Sequence, residues 1–258
     1  MAHIETSIAD GLQTIRIARP EKKNALTSGM YAAMVDALQR GDDDAAVVAH
    51  LFIGSEGVFS AGNDIGDFVD SAQKGAGLDG PVIEFIRLLP RVQKPMIAAV
   101  DGLAVGIGTT LLFHCDLVYA TPTARFSTPF LNLGVVPEAG SSLLAPLRLG
   151  YARAFELLIL GETFNAERAR EAGLINAIVP ADQLEATAQG AAAKLASKPP
   201  EALAIARQLL RGNPSAVSAR IVEEARLFRD QMSSSEAQEA FAAFLEKRKP
   251  DFKTAGRG

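Results

Sequence analysis

Cysteine and histidine are scarce in this 258-residue chain: it holds one cysteine, Cys115, and three histidines, His3, His50 and His114. A single thiol excludes an intrachain disulfide framework and any multi-cysteine zinc site. The histidines lie far apart and no HExxH occurs, so no metal is expected. A strong charge of either sign is also missing. The 26 Lys and Arg against 30 Asp and Glu leave a net charge of -4, with no global pull toward nucleic acid or anionic membrane, although a local basic patch is allowed. No secretory signal is expected, because Glu5, Asp10, Arg16 and Arg19 interrupt any apolar run near the start. One stretch mimics a membrane span, PMIAAVDGLAVGIGTTLLF at 95–113. It contains Asp101 and is punctuated by Pro95, Gly102, Gly106 and Gly108, which suits a buried strand, a turn and a helix better. The expectation is a soluble cytoplasmic protein with no nucleic-acid or membrane partner.

What is present is apolar mass: 48% of residues are hydrophobic and 22% charged. A chain of 27.2 kDa with that balance suits one compact domain with an appendage, or two small domains. Residues 3–18 read as two short strands around Asp10-Gly11. Helical spacing of Met30, Ala33, Met34, Ala37 and Leu38 predicts a helix over 28–39, with Gly41 as its stop signal. Val47 to Ile53 and Met96 to Val100 read as strands, Pro81 to Val92 as a helix, and 64–80 as a mobile loop with one turn of helix. Strands alternate with helices to about Pro180, the pattern of an α/β body with buried strands. Residues 181–248 show no convincing strand and suit amphipathic helices, broken at 198–200, 212–214 and 233–235. The predicted division is therefore 1–197 as the body and 198–258 as a helical module packing on a partner subunit.

Three glycine-bearing segments could carry chemistry. In Phe59-Ser60-Ala61-Gly62-Asn63-Asp64-Ile65, small residues let a ligand approach the backbone, though taken alone the segment is better explained as an ordinary Asx turn. In Gly102 to Thr110, a strand-to-helix turn would leave helix N–H groups ready for an oxyanion. It is no dinucleotide fingerprint, since Leu111 stands where GxGxxG needs its last glycine, and no P-loop. Close helix–strand packing is the competing explanation. The third segment, Phe126 to Ser142, places the lone carboxylate Glu138 in an apolar setting near a helix start, where it could merely complement a helix dipole.

Taken together, these segments resemble the crotonase (enoyl-CoA hydratase/isomerase) superfamily. The matches are Arg19-Pro20 with Asn24-Ala25-Leu26, FSAGNDI at 59–65, KPMIAAVDGLAVG at 94–106, CDLVYA at 115–120 and LGVVPEAGSS at 133–142. GETFNAERAREAGLINAIVP at 161–180 and FLEKRKPDF at 244–252 complete the set. The resemblance implies an α/β spiral of ββα units, a helical C-terminal trimerisation region giving a homotrimer or dimer of trimers, and acyl-CoA thioester substrates. Coenzyme A enters only as part of the substrate, with no other cofactor. It also implies an oxyanion hole from the backbone N–H groups of Asn63 and Ile107, and a substrate site that includes Ser60, Ala61, Gly62, Asn63, Asp64, Gly106 and Phe130. Lys247 is the counterpart of a CoA-phosphate contact, with a solvated helix face as the alternative. Lys22 and Lys23 have the same two explanations. Asp64 suits loop fixing better than a second base, and His114 and Cys115 suit the core.

Two departures bear on the reaction. Where hydratases of this family carry two glutamates, this chain has Thr110 and Phe130. Water addition calls for paired acid–base groups, so efficient hydration is not expected. Glu138 resembles the glutamate of the Δ3-Δ2-enoyl-CoA isomerase branch, and a single carboxylate suffices to move a double bond. Burial would raise its pKa and a helix N-terminus would oppose the rise. The alternatives are a hydratase of the same fold with atypical acid–base residues, and a non-catalytic acyl-CoA binding protein.

Overall fold

A computed structural model describes residues 3–64, 66, 78–246 and 248–255. The chain begins with a hairpin, β1 (Ile4–Ala9) and β2 (Leu12–Ile17). Its two-residue turn needs positive φ at both positions, and Asp10 (51°) and Gly11 (78°) supply it. Thr27 caps α1 (Ser28–Asp43) by accepting from the Met30 N–H. That helix runs past Gly41, which is no stop signal. A Cβ at Gly41 would lie 2.1 Å from Gln13 Oε1 and 2.7 Å from His50, so the glycine serves the close approach of α1 to the sheet. The strand β3 (Ala49–Ile53) follows, then α2 (Gly80–Leu88), which tightens into a 3₁₀ turn at Leu89–Arg91 where Pro90 ends regular helix. The loop expected at 64–80 falls largely outside the described residues.

The apolar stretch at 95–113 divides into β4 (Met96–Val100), β5 (Leu103–Val105), the short α3 (Ile107–Thr110) and a 3₁₀ turn at Leu111–His114. Among the described residues no helix is long and apolar enough to cross a membrane. Then come β6 (Leu117–Ala120), β7 (Arg125–Ser127), α4 (Ser141–Leu149), α5 (Tyr151–Leu158), β8 (Phe164–Asn165), α6 (Ala166–Glu171) and β9 (Ala177–Ile178). The C-terminal helices are α7 (Leu184–Ala196), α8 (Pro200–Arg211), α9 (Pro214–Met232), α10 (Ser235–Leu245) and α11 (Phe252–Ala255). Their breaks coincide with the proline, glycine and serine punctuation of the sequence.

The main sheet has the order β1-β2-β3-β4-β6-β9, parallel except for β1 against β2. Both faces of its centre are covered, as parallel sheets require. Met96, Ala98 and Val100 of β4 join α1 and α2 in the larger core, while Ile97 and Ala99 face Leu184, Ala188 and Ala192 of α7. A smaller sheet, β5-β7-β8, carries the site loops. The C-terminal helices do not form a core of their own: Ile221, Ala225, Phe228 and Met232 of α9 belong to the larger core of the body.

Candidate active site

The first segment is set by a clamp built from the start of the chain. Asn24, fully buried and left-handed (φ 55°), donates to the Ser55 and Val58 carbonyls and accepts from the Arg19 N–H. Its own carbonyl accepts from the Ser60 hydroxyl at 2.9 Å. Arg19 in turn pairs with Asp64 at 2.6 Å. Residues 60–63 then align with β5, through a Ser60–Ala104 bridge and a Val105 N–H donated to Ser60 O at 2.9 Å. Gly62 (φ 88°) lets the two backbones meet, since a Cβ there would stand 2.9 Å from Val105 O.

This arrangement aims two amides at one place. The Gly62 carbonyl and Asp64 N–H both bond Leu26, so strand alternation turns the intervening Asn63 N–H the other way. Ile107 is the first residue of α3, behind the left-handed Gly106, and its N–H has no intrahelical acceptor. Both residues line a cavity of about 400 Å³. The Asn63 side chain is held by the Tyr31 hydroxyl, which donates to Oδ1. Burial, and then the charge of Glu138, keep that phenol far above its usual pKa, so it remains a donor.

Glu138 lines the same cavity and is 4% exposed. The Thr110 hydroxyl donates to its Oε1 at 2.5 Å, so Thr110 serves the carboxylate rather than a water. Oε2 is buried with no hydrogen-bond partner among the described residues. Burial pushes this carboxyl up to about 8, against the Thr110 bond and with help from the charge of Glu224. Burial therefore outweighs the helix N-terminus, and the reason is geometric. The amides at the start of α4 belong to Glu224 of α9, which accepts from Gly140 N–H (2.6 Å), Ser142 N–H (3.0 Å) and Ser142 Oγ (2.5 Å). The turn between them is left-handed at Ala139 (φ 58°) and Gly140 (φ 72°), and His114 donates to the Ala139 carbonyl at 2.7 Å.

Of the residues singled out from the sequence, Ala61, Gly62, Asn63, Gly106, Ile107, Phe130 and Glu138 line the cavity together. Two do not. Ser60 is fully buried, its hydroxyl engaged with Asn24 O and the Gly62 N–H, and Asp64 is engaged with Arg19; both shape the loop and stand outside the lining. Lys247 lies outside the described residues. Lys22 and Lys23 are exposed, and the Lys23 carbonyl accepts from the Ala61 N–H, which sets them beside the loop at 60–63. His114 and Cys115 are buried, burial pulling the imidazole to about 4 and pushing the thiol to about 12. No group of three or more His, Cys, Asp or Glu that could hold a metal occurs among the described residues. The sequence pointed to the helices after 200 as walls of the pocket without naming the residues that line it, which are Phe228, Phe241, Phe244 and Arg248. On amphipathic helices such phenylalanines carry the same periodic signal as core residues.

A largely apolar cavity lined by Asn63 and Ile107, whose amides have no acceptor among the described residues, and by one raised carboxyl suits chemistry on a carbonyl that develops oxyanion charge. Comparison with known proteins makes this specific. The family described as enoyl-CoA hydratase/isomerase matches residues 7–255. A probable enoyl-CoA hydratase of Mycobacterium leprae is 35% identical over 252 residues, covering 96% of this chain and 98% of that protein. Enoyl-CoA delta isomerase 2 of Rattus norvegicus is 35% identical over 245 residues, covering 93% of this chain and 62% of that one. The crystal structure of an enoyl-CoA hydratase/isomerase from Pseudoalteromonas atlantica superimposes with a TM-score of 0.91 at 38% identity, covering 97% of this chain and 99% of that one. The chain belongs to the enoyl-CoA hydratase/isomerase family and has the crotonase-like α/β fold.

Proposed function

We propose that the enzyme isomerises a 3-enoyl-CoA to the 2-enoyl-CoA. The observation that carries this reading is that Glu138 is the one carboxylate among the described residues lining the cavity. With the thioester oxygen between the Asn63 and Ile107 amides, Oε2 of Glu138 removes a proton from C2. The C–H electron pair moves into a dienolate whose oxygen carries the charge, and the amides stabilise it there. The same carboxyl returns its proton to C4, leaving the double bond at C2–C3. Hydration requires in addition a positioned water and a second acid–base group, but Phe130 lines the cavity at one of the two places where the hydratases carry glutamates, and Thr110, at the other, is bonded to Glu138. The names of the relatives include both hydratases and an isomerase. A protein that only bound acyl-CoA would gain nothing from a buried, raised carboxyl with a free oxygen. Lys22, Lys23 and Lys247 are the candidates for the CoA phosphates, and Phe228, Phe241 and Phe244 for the acyl chain.

The test is to supply purified protein with a 3-enoyl-CoA and, separately, a 2-enoyl-CoA, following the ultraviolet absorbance of the conjugated thioester. Absorbance gained from the first and unchanged with the second is the expected result. Absorbance lost from the second only would assign hydration instead.

Two further outcomes follow. Glu224→Gln removes a negative charge that favours protonated Glu138, so the acid limb of the kcat/KM profile moves to lower pH. It also leaves a Gln amide against N–H donors, and the urea midpoint drops by the equivalent of about 1–3 kcal/mol. An unmoved limb would sever Glu224 from the base. Second, Leu147, Tyr151, Leu209 and Leu210 are large apolar side chains 76, 73, 77 and 90% exposed. We propose that they are covered in a homotrimer or dimer of trimers, giving a light-scattering mass three or six times 27.2 kDa; a monomer would refute it.

A further inference from the structure

A second cavity, of about 640 Å³, shares no lining residue with the first. Among the described residues, four arginines line it, Arg91, Arg148, Arg207 and Arg211, and no Asp or Glu does. Arg207 and Arg211 are four residues apart on α8 and so share a face; Arg148 comes from α4. Each spends part of its guanidinium on the protein. Arg148 donates to the Leu112 and Cys115 carbonyls, Arg207 to those of Val92 and Gln93, and Arg211 more distantly to Leu89. Arg207 Nε also pairs with Asp116 at 2.9 Å. Two donors remain: Arg207 Nη2 and Arg211 Nη1 are buried without a hydrogen-bond partner among the described residues, and the Arg207 side chain is only 9% exposed.

Positive charge is therefore concentrated here beyond what Asp116 balances. Burial, and then the neighbouring charge of Arg207, pull the Arg211 guanidinium below its ordinary value, and burial does the same to Arg148. His114, on the same wall, is held neutral by its own burial and adds no charge near pH 7. Guanidinium N–H pairs are matched in geometry to carboxylate and phosphate oxygens, and charge-assisted bonds in a part-buried site are the strong kind.

We propose that this cavity is a binding site for a small oxyanion of the phosphate or sulfate type, drawn by the positive wall of Arg91, Arg148, Arg207 and Arg211. The same chemistry could come from a side-chain carboxylate of a second copy seated on the apolar rim at Leu147, Ile205 and Leu210, and the experiment separates the two sources. Protein freed of phosphate and sulfate is titrated with inorganic phosphate by calorimetry and by thermal melting, with sodium chloride at matched ionic strength as control. Saturable binding is expected, with a rise in Tm of several degrees that chloride does not reproduce. Arg211→Gln weakens phosphate binding roughly tenfold or more, consistent with the loss of one charged donor, while leaving circular dichroism unchanged. Should that variant not fold, Arg211→Lys is titrated in its place with coenzyme A present to occupy the other phosphate contacts, and binding no weaker than wild type overturns the proposal. No saturable binding by the wild type, or equal binding by Arg211→Gln, overturns the proposal. Absence of phosphate binding together with dissociation of the Arg211→Gln assembly assigns the arginines to a partner carboxylate and overturns it as well.

Discussion

Glu138→Gln lowers the 3-enoyl to 2-enoyl turnover by about 10³-fold or more, within the range a positioned general base contributes, and leaves affinity for a CoA ester nearly unchanged. The amide can still accept from Thr110, whose hydroxyl now bonds Oε1 at 2.5 Å, so the shape of the site persists while the proton acceptor is gone. The wild-type pH profile supplies a second reading of the same group. A base works only when ionised, and burial places this carboxyl at about 8, so kcat/KM climbs with pH up to about 8 and then levels. The variant has no such limb. Stability moves in the opposite direction. The folded pKa of about 8 exceeds the ordinary 4.5, so the folded state holds a proton that the unfolded chain releases between those values. Stability is therefore lost as pH rises through that window, by about 1.4 kcal/mol per unit of raised pKa. Glu138→Gln removes the loss and melts higher than wild type at pH 9, though not at pH 4. A packing defect would lower activity and alkaline stability together. Retained turnover would remove Glu138 from the mechanism.

Much of this site was legible in the sequence because its parts are local. An amide at a strand-to-helix turn is left unpaired by helix geometry, whatever the side chain, which is why an isoleucine at 107 is compatible with that role. The oxyanion loop is announced by small residues at 60–62, and the helix breaks after 181 by proline, glycine and serine. What could not be read depends on contacts distant in sequence. Glu224 lies 82 residues beyond the Ser142 it caps, on a helix whose charged positions all read alike. Gly41 looked like a helix stop because nothing local shows that Gln13 and His50 press against it. The bond from Thr110 to Glu138 was out of reach for the same reason, since 28 residues separate the two in sequence. Ser60 and Asp64 sit inside the right motif but turn inward, because the loop needs internal anchors as much as the ligand needs backbone.

Gly62→Ala is the second large effect. The residue adopts φ 88°, and an added methyl would stand 2.9 Å from the Val105 carbonyl oxygen, a backbone atom that cannot swing aside. One segment has to move, and each carries half of the proposed oxyanion hole: Asn63 follows Gly62 directly, and Ile107 follows Val105 through Gly106. Hydrogen bonds oppose simple retreat of the loop, since the Gly62 carbonyl accepts from Leu26 N–H at 2.8 Å and its N–H donates to Ser60 Oγ at 3.1 Å. The displacement therefore passes into the distance between the two amides. Misplacing a donor aimed at developing charge costs about 10²–10³-fold in rate, and the fall is expected in kcat, because the oxyanion carries its charge in the transition state and not in the bound substrate. Strain in the left-handed backbone adds a destabilisation of about 1–3 kcal/mol. Gly57→Ala separates the two effects. Gly57 has a similar φ of 72° but open space, its nearest neighbour being Asp101 Oδ2 at 3.8 Å, and it lies outside the cavity lining. It loses stability by strain alone and keeps kcat. Equal kcat losses in both variants would mean that global strain, rather than the spacing of the Asn63 and Ile107 amides, limits turnover.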